Sequence, residues 1–140
     1  MTIQLNPYLN FRDDAREAME FYRSVFGGEL ELMPFSAIGA SDDPAEADKV
    51  MHSFLRTAGG MALMGADTPN SMAFSPPAGM SVSLSGPAED GDELRRYWDA
   101  LSEGGTVTVP LETAPWGDTF GMCVDRFGIP WMVNIAGQPS

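Results

Sequence analysis

The chain carries the same order of local signals twice, and this repetition constrains its fold more than any other feature. In the second half, a helical pattern ends at Gly104-Gly105, and three strand-like stretches follow at Thr106–Leu111, Thr119–Val124 and Ile129–Ile135. Glycine ends helices readily, and alternating or short apolar runs are typical of strands. A helix, a glycine pair, a strand, a loop and a hairpin form one complete supersecondary unit.

The first half shows the same succession. Strict alternation over Ile3–Phe11 predicts a half-buried strand, with Ile3, Leu5 and Leu9 on its inner side. A helix is predicted to begin at Asp14, with Glu17 as its capping-box partner. It ends at a second glycine pair, after which we predict strands at Glu29–Met33, Lys49–Thr57 and Met61–Ala66.

The second half also opens with a strand and a helix. Met80–Gly86 alternates, and a helix is predicted to begin at Asp90 or Asp92. Its apolar stripe consists of Leu94, Tyr97, Trp98 and Leu101. Each half therefore reads βαβββ. A chance succession of helix–glycine–strand units in an ordinary α+β chain is the alternative.

One βαβββ unit covers only one face of its sheet with its helix, so the other face must meet a second sheet or a ligand. We predict an α+β fold in which two paired βαβββ modules form an open, eight-stranded, cup-like sheet with the helices outside. The chain is then one domain, with modules at about 1–67 and 79–136 and a linker at about 68–78. Pro34–Asp48 lacks any period and is predicted to be a loop, most mobile near Gly39–Pro44.

Composition excludes several classes of partner. Twenty acidic against eight basic residues give a net charge of -12, which opposes binding to nucleic acid or an anionic membrane surface. No apolar run is long enough to span a membrane, and no signal peptide is recognised at residues 1–10. A lone cysteine, Cys123, fits a reducing compartment, and we expect a cytoplasmic protein.

Motifs along nearly the whole chain resemble those of PhnB-like proteins. These belong to the vicinal oxygen chelate superfamily, with glyoxalase I, bleomycin-resistance proteins and extradiol dioxygenases. The matching stretches are residues 7–11, Glu17-Ala18, Phe21-Tyr22, Phe26-Gly27-Gly28, Met51-His52, Leu63-Met64, Asp67, Trp116-Gly117, Phe120-Gly121 and 125–135. Some such proteins carry a demethylubiquinone methyltransferase label, yet this chain lacks a glycine-rich strand–helix turn followed by an acidic residue for S-adenosylmethionine.

The resemblance implies a divalent metal in the cup, held by imidazole and carboxylate ligands. Transferred to this chain, the ligand positions fall near Asn6, Met64, Ser81 and Met132. None of these is His, Asp or Glu, and thioethers are soft ligands that suit such metals poorly. We therefore expect no metal and no other cofactor.

His52 is the only histidine and falls in a predicted strand. Imidazole can act as an acid or base near neutral pH, although a structural histidine is the simpler interpretation. Tyr8 and Asn6 share the polar side of the first strand, where they could orient a ligand or pack at a surface. The candidate catalytic residues are His52 and Tyr8.

The remaining candidates are placed by the resemblance or by composition. Trp116 lies in a loop, where it could close over a ligand or pack on a partner chain, while Trp131 and Cys123 are expected in the core. Asp67 could bind a polar group or serve as a turn residue. The expected ligand-binding set is Asn6, Tyr8, His52, Met64, Asp67, Ser81, Trp116, Phe120 and Met132.

Three functions fit these observations. The first is a small-molecule-binding protein of the superfamily that lacks its metal. The second is a metal-independent, lyase- or isomerase-like enzyme on a small oxygenated metabolite, using His52 and Tyr8. The third is a structural protein whose cup is filled by its own side chains. A homodimer is expected, because superfamily members commonly bury apolar sheet edges against a second chain.

Overall fold

The computed structural model describes residues 3–37, 47–69 and 72–137. The chain divides into two compact units, Met1–Pro76 (unit 1) and Pro77–Ser140 (unit 2). In its described residues, each unit contains one α-helix and one four-stranded sheet in the order βαβββ along the chain. The predicted α+β class and the two repeated modules are therefore confirmed.

Unit 1 places its helix on one face of a mixed sheet. Its elements are β1 (Tyr8–Phe11), α1 (Ala15–Phe26), β2 (Glu29–Pro34), β3 (Val50–Arg56) and β4 (Ala62–Asp67). The strand order is β1-β4-β3-β2, with β1 parallel to β4 and the other pairs antiparallel. A short 3-10 turn, Phe35–Ala37, follows β2.

The apolar stripe of α1 forms the core of unit 1. Ala15, Ala18, Met19 and Tyr22 are fully buried at helical spacing. The facing side of the sheet supplies every second residue of its strands, namely Leu9, Phe11, Leu55 and Leu63. Among the described residues of unit 1, no helix covers the opposite side of this sheet, and we call that side the open face of unit 1.

The first strand is shorter than predicted. Only Tyr8–Phe11 is a strand, and Ile3 and Leu5 are 98% and 99% exposed instead of sharing the inner side with Leu9. Pairing with β4 begins where the N–H of Met64 donates to the carbonyl of Pro7. In that register the residues before Asn6 lie opposite the β3–β4 turn, which offers them no strand to pair with.

The predicted capping box is also wrong in its chemistry. Asp14 does occupy the N-cap of α1, but its side chain makes no capping hydrogen bond. The carboxylate of Asp67 accepts the bond from the N–H of Ala15 instead, at 3.0 Å. A side chain at the end of β4 therefore satisfies the helix terminus.

Unit 2 repeats the plan. Its elements are β5 (Val82–Gly86), α2 (Gly91–Ser102), β6 (Thr106–Thr113), β7 (Thr119–Val124) and β8 (Pro130–Ile135). The order is β5-β8-β7-β6, with β5 parallel to β8. The predicted stripe of α2 is buried, as are Trp131 and Cys123, at 1% exposure each. The face away from α2 is the open face of unit 2.

The glycine pairs have a shared structural reason. A Cβ on Gly28 would lie 2.3 Å from the carbonyl oxygen of Arg56, and one on Gly105 would lie 2.1 Å from that of Val124. In each unit the second glycine lets the chain that leaves the helix come into backbone contact with the end of the neighbouring strand, β3 in unit 1 and β7 in unit 2. The repetition seen in sequence therefore reflects the same close approach made twice.

In the described ranges, neither helix has the length and apolar character that crossing a bilayer requires. The mobility predicted near Gly39–Pro44 concerns a segment that lies outside the described residues.

Candidate functional site

The open face of unit 1 gathers four of the candidate residues, Asn6, Tyr8, His52 and Met64. Tyr8 pairs with Met64 across β1 and β4, and Met64 pairs with Phe54 across β4 and β3. Residues directly opposite one another point to the same side of a sheet, so these three form one row. His52 lies two residues before Phe54 on the same side, and Asn6 is in phase with Tyr8 just before β1 begins.

Tyr8 and His52 are brought together by this register. Their rings stack with centroids 6.0 Å apart and planes inclined by 30°. Burial raises the pKa of Tyr8 above its ordinary value of 10.0, although the residue is 45% exposed. Its phenol is consequently protonated at neutral pH and can donate a hydrogen bond. The pair offers a ligand an aromatic surface with polar groups at its edges.

Two further residues of this face, Phe54 and Arg56, do not belong to the expected ligand-binding set. The guanidinium carbon of Arg56 lies 4.6 Å from the ring centre of Phe54, which is cation–π distance. Both continue the alternation that starts at His52, and Glu29 lies directly opposite Arg56 on β2. The period-two pattern of β3 was the available signal, since it places every second residue beside His52.

The open face of unit 2 carries a more polar set. Ser83, Met132 and Met122 form one row across β5, β8 and β7. The next row contains Ser85, Asn134 and Phe120. Ser81, which is half-buried, lies just before β5 and in phase with Ser83. Phe120 and Met132 therefore share this face, as the candidate list implies.

Trp116 occupies the turn between β6 and β7 and is 70% exposed. The turn is closed by backbone hydrogen bonds from Ala114 to the carbonyl of Asp118 at 2.6 Å and from Gly117 to that of Ala114 at 2.9 Å. Trp116 therefore belongs to an ordered turn of unit 2, whereas Tyr8 and His52 belong to unit 1.

Asp67 is turned towards the backbone. Its Oδ1 accepts from the N–H of Ala15, and its Oδ2 accepts from the N–H of Val50 at 2.9 Å. The residue is only 7% exposed and points to the helix side of the sheet, as Leu63 does on the same strand. These contacts join β4 to the starts of α1 and β3, so its carboxylate serves the fold.

The positions that the superfamily uses for its metal do not suit one in this chain. Among the described residues, no three His, Cys, Asp or Glu side chains lie close enough together to hold an ion. The transferred positions carry an amide, two thioethers and a hydroxyl, at Asn6, Met64, Met132 and Ser81. This donor set lacks the imidazoles and carboxylates that bind divalent metals of this kind.

Two βαβββ modules of this topology define the class of protein to which the chain belongs. They are the architecture of the vicinal oxygen chelate superfamily, and the fold resembles a solved glyoxylase/bleomycin resistance protein/dioxygenase domain from Frankia sp. EAN1pec. That likeness has a TM-score of 0.65 at 13% identity and covers 100% of this chain and 96% of the other. At such identity it concerns the fold alone.

The sequence places the chain more narrowly. The model of the family described as 3-demethylubiquinone-9 3-methyltransferase matches residues 3–134. The chain belongs to this family, the PhnB-like branch of the superfamily.

Two further solved structures are similar to this chain. Protein PA1353 from Pseudomonas aeruginosa is 40% identical, with a TM-score of 0.83 over 98% of this chain and 100% of that one. A structure described as a putative 3-demethylubiquinone-9 3-methyltransferase, PhnB protein, from Bacillus cereus is 24% identical, with a TM-score of 0.69 over 96% and 100%.

Proposed function

We propose that the chain binds a small organic molecule on the open faces of its sheets, without the metal of its superfamily. The Tyr8–His52 stack carries this proposal, because it sets two amphipathic rings on a half-exposed face beside Met64 and Phe54. Small-molecule sites are mostly apolar and aromatic, with a few polar groups that orient the ligand. An aromatic or unsaturated ligand with a hydrogen-bond acceptor suits this face best.

A thermal-shift screen of metabolites and antibiotics tests the binding. A ligand that binds only the folded protein raises the melting temperature, by an amount that grows with its concentration. Each hit is then titrated against His52→Ala and Tyr8→Phe, with Glu20→Gln on the exposed side of α1 as the control. We expect weaker binding in the first two variants and none of this loss in the control. Equal affinity in all three would remove the open face of unit 1 from the proposal.

A metal-independent lyase- or isomerase-like reaction is the second candidate. It is favoured by the juxtaposition of an imidazole with a phenol that stays protonated at neutral pH. Such a pair could supply a base and an acid to a small oxygenated metabolite. Turnover that disappears in His52→Ala, with the melting temperature unchanged, would favour the enzyme. Binding without turnover would favour the binding protein.

Methyl transfer, which the family description names, is not part of this proposal. The strand-to-helix junctions are Arg12–Asp14 after β1 and Pro87–Asp90 after β5. Neither carries the G-x-G-x-x-G spacing, although Gly86 and Gly91 flank the second. A turn with that spacing lets the backbone approach a nucleotide cofactor closely, and we expect a site for S-adenosylmethionine to need one. We expect S-adenosylmethionine to leave the melting temperature of the protein unchanged. A saturable increase in melting temperature would restore the methyltransferase hypothesis.

The expected absence of a metal has its own test. The donor atoms at Asn6, Met64, Ser81 and Met132 support it, since they are neutral and two are soft. Elemental analysis of protein purified without chelator should find no stoichiometric transition metal. A metal that resists dialysis, and whose removal lowers the melting temperature, would contradict the proposal.

We also propose a cytoplasmic homodimer. Fully exposed Ile3 and Leu5 support the dimer, as do Val107 and Val109, which are 46% and 39% exposed on edge strand β6. The lone thiol of Cys123 supports a reducing compartment. Mass measurement by light scattering at micromolar concentration should give twice 15.1 kDa; a monomer would contradict the dimer.

A further inference from the structure

The Trp116 turn, residues 114–118, is held by contacts that the local sequence does not reveal. Asp118 closes this turn and directs both carboxylate oxygens away from it. Oδ2 accepts a hydrogen bond from the side-chain amide of Asn134 at 3.1 Å, and Oδ1 accepts one from the N–H of Gly137 at 2.9 Å. The first partner lies on β8 and the second just after it, so one carboxylate ties the turn to the end of the sheet.

Backbone packing reinforces the same attachment. A Cβ placed on Gly137 would lie 2.6 Å from the carbonyl oxygen of Gly117, and Gly117 itself has φ of 101°. The turn and the segment after β8 therefore touch at backbone distance, which only glycine at position 137 permits without displacement. The attachment thus consists of two hydrogen bonds and one close contact.

One residue of this attachment, Asn134, lies on the open face of unit 2. Asn134 pairs with Phe120 and Ser85 in one row of that face. The amide that holds Asp118 is therefore a neighbour of candidate ligand-binding residues, while the turn that Asp118 closes presents a tryptophan that is 70% exposed. An indole held in place contacts a ligand at a lower entropic cost than one on a mobile loop.

We infer that Asp118 is a positioning residue, which fixes the Trp116 turn so that the indole contacts the ligand of the open face of unit 2. The inference rests on the proposed function, because it assumes a small-molecule ligand. It adds a residue that belongs to none of the expected binding positions. It also implies that Trp116 is already in place before the ligand binds, and that it does not move over the ligand as a lid.

Fluorine NMR of protein labelled with 5-fluorotryptophan tests the positioning without any ligand. The three tryptophans, Trp98, Trp116 and Trp131, give three resonances, and Trp116→Phe assigns the exposed one. We expect the Trp116 resonance to be as broad as the two buried ones. In Asp118→Ala it should narrow at least about twofold and move towards the shift of the unfolded chain, while the other two stay unchanged.

An exchange of the two side chains provides the rescue. Asp118→Asn alone places two side-chain amide groups against each other. The Trp116 resonance of this variant should show part of the narrowing expected for Asp118→Ala. In Asp118→Asn/Asn134→Asp, the amide at position 118 can donate to the carboxylate at 134 and still accept from the N–H of Gly137. We expect this double variant to restore the linewidth. Glu89→Gln, exposed in the turn before α2, is the control with an altered charge only. An unchanged Trp116 resonance in Asp118→Ala would overturn the positioning role.

Nile red, a neutral apolar dye, serves as the ligand probe at a temperature well below unfolding. We expect Asp118→Ala to weaken its binding about threefold to tenfold, the cost of ordering one turn and its side chain. Trp116→Ala should weaken binding at least as much, and the exchanged pair should recover it. Full affinity in Trp116→Ala would overturn the ligand contact.

The remaining outcomes separate this inference from the proposed function. Absence of Nile red binding by the unmodified protein, together with no hit in the metabolite screen, would overturn the proposed function and the ligand contact with it. The fluorine linewidths would still decide whether Asp118 positions the turn. A Trp116 resonance that shifts as a dimer is diluted to monomer would assign the indole to the subunit interface and overturn the ligand contact.

Discussion

Asp67 caps helix α1 from 52 residues away: its Oδ1 accepts the hydrogen bond of the Ala15 N–H at 3.0 Å. Its Oδ2 accepts at the same time from the N–H of Val50, at the start of β3. One buried carboxylate thus joins the end of β4 to the beginnings of a helix and a strand. Local sequence offers Asp14 for the capping role, but its side chain makes no such bond.

The first prediction follows from this exchange of roles. Asp67→Ala leaves two N–H groups without acceptors at sites that are buried, so the free energy of unfolding should fall by about 3 kcal/mol. Asp14→Ala is the matched control and should change it by less than about 0.5 kcal/mol. Urea denaturation followed by circular dichroism measures both. A larger loss in the Asp14 variant would show that the local capping box operates in solution.

The second prediction concerns the repeated glycine pairs. Gly105→Ala would bring a Cβ to 2.1 Å from the carbonyl oxygen of Val124, so the two backbone segments must separate. Overpacking of this kind costs about 1–3 kcal/mol. Gly59→Ala, in the β3–β4 turn with nothing within 4 Å of the added Cβ, is the control and should be nearly neutral. Equal melting temperatures for the two variants would contradict the close approach.

The third prediction concerns the lone thiol. Cys123 is 1% exposed, and burial, together with the nearby charge of Asp125, raises its pKa to about 11. Because the thiolate is the reactive form, the folded protein should not react with Ellman's reagent at pH 8. One thiol per chain should react after unfolding in guanidinium. Complete reaction of the folded protein within seconds would show that this strand opens readily.

The fourth prediction concerns acid. The hydrogen bond from the Gly137 N–H, and next that from the Asn134 amide, lower the pKa of Asp118 below its ordinary value of 3.8. A lowered carboxyl pKa stabilises the fold fully above the unfolded-state value, and this contribution is lost as the pH falls through the folded-state value. The stability difference between the unmodified protein and Asp118→Ala should therefore be present at pH 7 and shrink below about pH 4. A difference that does not depend on pH would show that the carboxylate charge contributes nothing.

Periodic segments were predictable because their signals are local. The strand Thr119–Val124 lies at its predicted bounds, and the α2 stripe from Leu94 to Leu101 is buried as expected. In both, the spacing of apolar residues alone selects the buried side. The same reasoning failed for Ile3 and Leu5, whose alternation is that of a strand although β4 provides them no partner.

The sequence by itself determined the βαβββ repeat, the glycine pairs that end both helices, and the absence of imidazole and carboxylate at the transferred metal positions. Only the tertiary structure decided which distant groups meet. β1 and β3 both pair with β4, and this places Tyr8 and His52 on the same side of the sheet with their rings in contact. Asp118 contacts Gly137 because β7 lies beside β8. Secondary structure follows from interactions between residues a few positions apart, whereas these contacts depend on strand order and register. Those are selected by the packing of the whole unit, which no short stretch of sequence contains.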